Sequence, residues 1–204
     1  GINFIHKLNG MFSIAIFDAK KKELFLIRDR IGVKPLYFSK NKTKIIFASE
    51  IKSILESGIE KSTISQSALS HYLSLGFVPP PLTLYENIFH VSPGEYITFS
   101  KKGFESRKWW DLSTIKPDQN TKEESFIEEF NFLIKDATRI RLRSDVPFGA
   151  FLSGGVDSST VVGLMSEIRD EPIKTFSIGF SDKRFDETPY ALNASKRFKT
   201  EHDY

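Results

Sequence analysis

The segment 148–160 (FGAFLSGGVDSST) restricts the fold more than any other part of the sequence. It begins with an apolar run that is bounded by glycines and too short for a helix, which predicts a buried strand. Two adjacent glycines and several hydroxyl residues then lead into 159–170, where apolar residues recur at helical spacing. A second strand (173–180) and another helix (186–198) are predicted to follow. This alternation is typical of a parallel sheet wound with helices.

The first half of the chain predicts a different architecture. Segments 11–17 and 23–29 are rich in β-branched and aromatic residues and flank a short polar connector, as do two segments between residues 34 and 50. Both pairs are therefore predicted to be antiparallel hairpins. The polar segment 113–122 is the best candidate for a linker. We therefore predict an α+β domain over 1–112, followed by an α/β domain over 113–204.

Helix signals are clearest at two places in the sequence. Ser65 is the predicted N-cap of a helix that Gly76 ends. The segment 124–142 is predicted to be an amphipathic helix because several apolar residues share one face, namely Phe126, Phe130, Leu133, Ala137 and Ile140.

The composition excludes several classes of function. The 204 residues contain no cysteine, so they hold no disulfide, thiolate metal site or cysteine nucleophile, and a cytoplasmic location is favoured. The net charge of +3 is spread along the chain and does not favour nucleic acid as a partner. No apolar run approaches the roughly 20 residues of a membrane-spanning helix. The four histidines, at positions 6, 71, 90 and 202, lack metal-ligand spacing and are predicted to be solvated or packed in the core.

The glycine pair predicts an anion-binding loop. A strand that runs into a helix start presents main-chain N–H groups at the carboxyl edge of the sheet, and the helix dipole adds positive potential there. Gly154 and Gly155 let the main chain approach a ligand closely, and hydroxyl groups supply further donors, from Ser153, Ser158 and Ser159. The loop has neither the Lys-Ser/Thr of a Walker loop nor the G-x-G-x-x-G of a dinucleotide-binding turn.

Asp157, in the middle of the loop, changes the kind of anion that is expected. Its carboxylate would repel a bare phosphate, whereas Mg²⁺ is usually held by one or two carboxylates together with phosphate oxygens. The loop therefore predicts a site for a magnesium-bound polyphosphate. From these residues alone a purely structural alternative stays open, in which Asp157 or Ser158 caps the helix and the glycines form a tight turn.

The stretch SGGVDSS (153–159) resembles the pyrophosphate loop of the ATP pyrophosphatase superfamily, and its flanks SDVPFGAFL and KTFSIGF resemble the synthetase domain of glutamine-hydrolysing asparagine synthetases. The resemblance implies a doubly wound parallel sheet that uses ATP and Mg²⁺. It implies that Asp157 is linked to magnesium through phosphate, and that Phe151 and Ile178 lie near the adenine. It also implies that the pyrophosphate is held by Ser153, Gly154, Gly155, Ser158 and Ser159.

The same resemblance implies a reaction. In that family, ATP activates the side-chain carboxylate of aspartate as an adenylate, and ammonia from glutamine then displaces AMP to give asparagine. Because attack at the α-phosphorus releases pyrophosphate, the loop must hold a leaving group and needs no lysine for γ-phosphate transfer. The implied substrates are aspartate and glutamine or ammonia. No nucleic acid or membrane partner is expected, and a homodimer is one expected assembly of the full-length protein.

The stretches LNGMFSIAIFD (8–18) and RDRIGVKPLYF (28–38) resemble the later part of the glutaminase domain in class II glutamine amidotransferases. This resemblance implies the C-terminal part of an antiparallel sandwich of the N-terminal-nucleophile hydrolase type. For the second of these stretches, the more specific one, we expect structural roles: paired charges at Arg28, Asp29 and Arg30, and a turn shaped by Gly32 and Pro35. The stretch RKWWDL (107–112) resembles the end of the same domain, and its Trp109 and Trp110 are expected to be packing residues.

The chain departs from that family in one respect, because the family's glutaminase uses an N-terminal cysteine as its nucleophile. The favoured explanation is an internal fragment that lacks the start of the glutaminase domain and the end of the synthetase domain, and that is inactive alone. A relative that has lost glutamine hydrolysis is a second explanation. The alternatives are a related ligase with another carboxylate acceptor, β-lactam synthetase-like or polysaccharide-associated, and a non-catalytic truncated module.

Overall fold

The computed structural model describes residues 1–40, 44–58, 63–118 and 120–204. The chain divides into two compact units, Gly1–Pro117 and Asp118–Tyr204. None of the helices in the described ranges combines the length and the apolar character that crossing a membrane requires.

Two antiparallel sheets and two short α-helices make up the first unit. Its elements are β1 (Ser13–Asp18), β2 (Glu23–Arg28), β3 (Tyr37–Lys40), β4 (Ile45–Ala48), α1 (Ile51–Glu56), α2 (Gln66–Leu75), β5 (Phe89–His90), β6 (Glu95–Ser100) and β7 (Gly103–Lys108), with 3-10 helices at Ile2–Lys7 and Leu112–Thr114. One sheet has the strand order β1-β2-β6-β7 and the other the order β4-β3-β5.

Both predicted hairpins are confirmed, since β1 pairs antiparallel with β2 and β3 pairs antiparallel with β4. The predicted caps of α2 are also confirmed: the Ser65 hydroxyl accepts from the Ala68 N–H, and Gly76 is left-handed with φ of +76°. Strand β7 was not predicted. All six residues of this edge strand are exposed. A strand without a buried face needs no alternation of apolar and polar residues, and that alternation is the signal by which a strand is predicted.

Two apolar clusters cover opposite faces of the four-stranded sheet. Consecutive residues of a strand point to opposite faces. Leu26 therefore joins a cluster with Phe38 and Ile97, in which both sheets take part, whereas Ile27 joins a second cluster that contains Trp109. The Trp109 indole N–H donates to the Arg28 carbonyl at 3.1 Å. The expected packing role of Trp109 is thus confirmed.

The charged residues that follow β2 bond to the main chain, and the prediction that they pair with one another is wrong. Among the described residues, no salt bridge joins Arg28, Asp29 or Arg30 to another side chain. Arg28 instead donates three hydrogen bonds of 2.7–2.9 Å to main-chain carbonyls, those of Gly32, Lys34 and Val91. The physical reason is that a buried turn leaves main-chain groups without sheet partners, and these groups must be satisfied by other means.

Asp29 satisfies the N–H groups of the same turn. Its carboxylate accepts from the main-chain amides of Phe12, Val33 and Lys34 at 3.2, 2.9 and 3.0 Å, and the residue is 1% exposed. Burial alone would raise the pKa of the Asp29 carboxyl. Hydrogen bonds from the main chain, above all from Lys34 and Val33, outweigh burial and hold that pKa below its ordinary value.

We predict that Asp29→Asn lowers the free energy of unfolding of the first unit by about 1–3 kcal/mol, because an amide NH₂ would face buried donors. The folded-state pKa of Asp29 lies below the unfolded value of about 3.9, so its stabilisation is present above that pH and disappears as pH falls through the folded-state pKa. The difference between wild type and variant should therefore shrink in acid. Urea unfolding followed by tryptophan fluorescence measures this, since both tryptophans, Trp109 and Trp110, lie in the first unit.

Glu105→Gln is the matched control, because Glu105 is exposed and forms a surface salt bridge with Arg107. A loss of stability as large for Glu105→Gln as for Asp29→Asn would contradict the role given to the buried carboxylate.

A three-stranded parallel sheet and three helices make up the second unit. Its elements are α3 (Glu123–Arg141), β8 (Gly149–Phe151), α4 (Val156–Ile168), β9 (Lys174–Phe176), α5 (Thr188–Phe198) and β10 (Glu201–Asp203). The strand order is β10-β9-β8, and both pairings are parallel. The predicted change from antiparallel to parallel architecture is confirmed. Strand β10 was not predicted, because its three residues are all polar.

Helix α3 confirms the helix predicted over 124–142. Much of its apolar face is exposed, since Phe126, Phe130 and Leu133 are 44%, 60% and 55% exposed. The buried cluster of the unit is formed instead by Leu152, Val162 and Ala191, against which Ala150, Ala194 and Phe198 pack. This cluster joins β8 to α4 and α5, the elements that flank the glycine loop.

Candidate functional site

The glycine loop lies at the carboxyl edge of the parallel sheet, between β8 and α4. The Leu152 N–H donates to the Phe176 carbonyl at 2.9 Å and so extends the pairing of β8 with β9 by one residue. The Leu152 side chain is buried in the cluster below. The loop therefore begins at Ser153, where open α/β sheets bind their ligands.

Two serine side chains define the shape of the loop. The hydroxyl oxygens of Ser153 and Ser158 are 3.0 Å apart, and the Ser153 N–H donates to the Ser158 hydroxyl at 3.3 Å. The Gly155 N–H donates back to the Ser153 hydroxyl at 3.3 Å, and the Ser158 hydroxyl donates to the Gly155 carbonyl at 3.3 Å. These contacts tie the first residue of the loop to the first turn of α4.

The two glycines serve different purposes. Gly154 has φ of +80°, and a Cβ there would lie 2.3 Å from the Tyr190 carbonyl carbon and 2.6 Å from the Ala191 nitrogen. Gly155 has φ of −70°, and a Cβ there would meet only the Ser153 hydroxyl, at 3.3 Å. Gly154 is thus required by the close approach of α5, whereas Gly155 leaves an open surface at the start of α4.

The N-terminus of α4 is free to receive an anion. Gly155 is the N-cap, and no side chain of the described residues makes a capping hydrogen bond there. The structural alternative, in which Asp157 or Ser158 caps this helix, therefore lacks support. Because the first N–H groups of a helix have no partner within the helix, these amides can donate to a bound ligand.

Asp157 is exposed in the first turn of α4. No group of three or more His, Cys, Asp or Glu residues that could hold a metal ion occurs in the part of the chain that the structure describes. A Mg²⁺ ion here would thus need oxygens from a ligand, which fits a metal–phosphate complex and does not fit an all-protein metal site.

Phe151 is the last residue of β8 and Ile178 lies two residues after the end of β9, and they are 79% and 69% exposed. They line a cavity of about 310 Å³ together with Ser153 and Ser158. Gly154 and Ser159 line another cavity, of about 460 Å³, between α4 and α5. The two cavities are thus lined by six of the eight predicted site residues. The other two, Gly155 and Asp157, lie at the N-cap and in the first turn of α4 and line neither cavity.

Sequence reasoning missed Ser177, which also lines the smaller cavity. Its hydroxyl donates a short hydrogen bond to the Leu152 carbonyl, immediately before the loop. The only sequence signal was a polar residue inside the predicted apolar strand 173–180, and such a signal does not specify a partner 25 residues away.

Comparison with protein families assigns the two halves of the chain to two classes of domain. The family model of the glutamine amidotransferase domain matches residues 1–110. The chain therefore belongs to the glutamine amidotransferase domain family. A second model, for asparagine synthase, matches residues 129–204, which contain the glycine loop.

Curated relatives confirm the resemblance to asparagine synthetases. A Methanocaldococcus jannaschii protein, provisionally named asparagine synthetase (glutamine-hydrolyzing) 2, is 44% identical over 209 residues, which cover 100% of this chain and 40% of that protein. Asparagine synthetase (glutamine-hydrolyzing) 1 of Bacillus subtilis is 38% identical over 91% of this chain and 29% of its own length. Amidase chry2 of Gibberella zeae is 34% identical over 82% of this chain and 25% of its own length. The chain thus spans well under half of each relative.

A solved structure of the glutamine phosphoribosylpyrophosphate amidotransferase from B. subtilis covers 98% of this chain with a TM-score of 0.32 and 13% sequence identity. Those values are too low to support an argument about the fold.

We predict that Gly154→Ala destabilises the second unit by roughly 2–4 kcal/mol, because the left-handed backbone is strained by a Cβ and the new methyl group collides with the backbone of α5. Gly155→Ala is the matched control, and its effect should stay within about 1 kcal/mol. Hydrogen exchange of the β8 and β9 amides measures both variants. Equal protection in Gly154→Ala and wild type would contradict the close approach of α5.

Proposed function

We propose that the protein is an ATP-dependent amide ligase that converts aspartate to asparagine, and that the loop 153–159 binds the pyrophosphate part of magnesium-bound ATP. The observation that carries the proposal is the uncapped start of α4, placed behind a glycine loop at the carboxyl edge of a parallel sheet. The match to the asparagine synthase model over 129–204 and the asparagine synthetases among the relatives support it.

The proposed binding mode uses main-chain donors first. The N–H groups at the start of α4 donate to the pyrophosphate oxygens, and the positive end of the helix dipole favours the anion. Ser153, Ser158 and Ser159 supply hydroxyl donors at the rim of the loop. Asp157 would hold a Mg²⁺ ion together with phosphate oxygens of the ligand, and the ion would offset the negative charge of the leaving group.

The adenine is proposed to bind on the other side of the loop. Phe151 and Ile178 present exposed apolar surface in the cavity that also contains Ser153. An adenine ring held there would leave the triphosphate at the glycine turn. Aspartate oxygen then attacks the α-phosphorus, the bond to the β,γ-pyrophosphate breaks, and the loop retains the pyrophosphate until the β-aspartyl adenylate reacts with ammonia.

Glutamine is the proposed source of ammonia, and the cytoplasm is the proposed location. The family's glutaminase chemistry uses a cysteine nucleophile, and these 204 residues contain no cysteine. We therefore expect these residues alone to hydrolyse no glutamine. That they form no asparagine by themselves is part of the same proposal. A homodimer of the full-length protein is part of the same proposal.

A second candidate function is a related ligase that acts on another carboxylate. This second candidate is supported by the similarity to the Gibberella zeae protein, whose name is amidase and not asparagine synthetase. The loop geometry serves any carboxylate that is activated as an adenylate, so it does not separate the two candidates. Incubating the full-length protein with ATP, Mg²⁺, ammonia and a panel of carboxylic acids separates them: aspartate should release AMP fastest, and preference for another acid would favour the second candidate.

We predict that Asp157→Asn weakens binding of magnesium pyrophosphate to the chain by tenfold or more, equivalent to about 1.4 kcal/mol. In the full-length protein the same variant should lose aspartate-dependent ATP–pyrophosphate exchange. The reason is that an amide is a poorer ligand for magnesium than a carboxylate and does not compensate its charge. Isothermal titration calorimetry and exchange of labelled pyrophosphate measure the two effects.

Glu167→Gln is the matched control, since Glu167 is an exposed carboxylate near the other end of α4 that pairs with Lys135 at 2.9 Å. Its pyrophosphate affinity should equal that of the wild type. Wild-type affinity and exchange in Asp157→Asn would overturn the metal-linked role of Asp157.

A further inference from the structure

A chain of polar side chains crosses the parallel sheet next to the glycine loop. The ring of His202, on β10, lies between the hydroxyl groups of Thr175, on β9, and Ser177, the residue after β9. Its Nδ1 lies 2.9 Å from the Thr175 hydroxyl and its Nε2 lies 3.3 Å from the Ser177 hydroxyl. Thr175 also contacts the Thr200 hydroxyl at 2.8 Å, and Thr200 donates to Ser195 at 2.9 Å. Thr175 and Ser195 are buried, so the hydroxyls of this chain of side chains find their hydrogen-bond partners within it.

The direction of one hydrogen bond determines whether His202 donates or accepts toward the loop. The Ser177 hydroxyl has a single hydrogen, and it donates that hydrogen to the Leu152 carbonyl. The oxygen of Ser177 can then only accept from the His202 ring, so Nε2 must carry a hydrogen. His202 therefore acts as a donor toward the loop.

The Leu152 carbonyl is the point at which this chain reaches the loop. It belongs to the same planar peptide group as the Ser153 N–H, so a carbonyl held in place holds that N–H as well. The Ser153 N–H donates to the Ser158 hydroxyl, which is one of the contacts that join the loop to α4. One continuous series of hydrogen bonds thus runs from His202 through Ser177 and the 152–153 peptide to α4.

We infer that His202 is a positioning residue for the pyrophosphate loop: through Ser177 it orients the 152–153 peptide, and that orientation sets the direction of the Ser153 N–H and the shape of the serine pair. The inference deepens the proposed function and rests on it for the identity of the ligand. His202 does not touch the ligand itself. It acts from a neighbouring strand, through a contact that joins residues 25 positions apart.

Two substitutions separate the donor toward the loop from the rest of the ring. In His202→Gln the amide nitrogen reaches the position of Nε2 and can still donate to Ser177. In His202→Asn the shorter amide reaches only the position of Nδ1 and loses that donor. We expect magnesium pyrophosphate to bind His202→Gln within about twofold of wild type and His202→Asn about fivefold more weakly, as for the loss of one hydrogen bond.

Ser177→Ala should reproduce His202→Asn, and adding His202→Asn to Ser177→Ala should cause no further loss, because both changes break the same series of bonds. His71→Asn is the control, since His71 is exposed on α2 of the first unit. Equal affinity of wild type, His202→Asn and Ser177→Ala would overturn the inference.

Nuclear magnetic resonance gives a readout that does not depend on a ligand. In mildly alkaline buffer the His202 ring should show hydrogen on Nε2. The His202 signal is identified as the one of the four histidine signals that a His202 variant lacks. The Ser153 amide resonance should shift in His202→Asn and stay near its wild-type position in His202→Gln. An Nε2 without hydrogen, or an unmoved Ser153 resonance in His202→Asn, would overturn the inference.

The two proposals fail in different ways. If wild type binds no magnesium pyrophosphate but the Ser153 resonance responds as expected, the proposed function fails and the positioning of the peptide stands. If wild type binds pyrophosphate and both His202 variants bind equally well, the positioning role fails and the proposed function stands. Thermal melts of all variants separate either result from a general loss of folding.

Discussion

The parallel pairing of β8 with β9 is the constraint on which the candidate site depends. The pairing ends at the hydrogen bond from the Leu152 N–H to the Phe176 carbonyl, so the chain leaves the sheet at Ser153. The buried side chain of Leu152 anchors this point in the apolar cluster. Gly154 then takes a left-handed conformation beneath the backbone of α5, which leaves no room for a side chain. The position of the loop is therefore fixed by its neighbours, and its free amides follow from that position.

Main-chain polar groups are satisfied by side chains at one turn of the first unit and are left without capping side chains, among the described residues, at the start of α4 in the second unit. In the turn after β2, Asp29 and Arg28 satisfy amides and carbonyls that the sheets leave unpaired, so the turn is closed and stable. At the start of α4 no described side chain caps the helix, so the amides stay open to solvent. A turn that completes its own hydrogen bonds is suited to structure, whereas one that leaves donors open is suited to binding.

Much of the fold follows from local signals, since turns, caps and apolar periodicity involve residues close in the chain. The Ser65 and Gly76 caps, the hairpins and the strand–loop–helix at 148–160 are of this kind. Strands β7 and β10 could not be predicted because neither sequence has the apolar and polar alternation of a half-buried strand. The contacts of His202 could not be predicted for a related reason: its partners lie 25–27 residues away in the sequence, and the strand order β10-β9-β8 brings them together.

The serine hydroxyls and the main-chain amides of the loop cannot contribute equally to binding an anion. Ser153 and Ser158 already hydrogen-bond to each other and to Gly155, so a ligand that takes these donors must replace existing bonds. The amides at the start of α4 lack a capping side chain, so on binding they replace hydrogen bonds to solvent with hydrogen bonds to the ligand. Net affinity should therefore come mainly from the amides and the helix dipole, while the serines preserve the shape that aims them. Groups that preserve the serine pair, such as Ser177 and the His202 ring, then matter for affinity without touching the ligand.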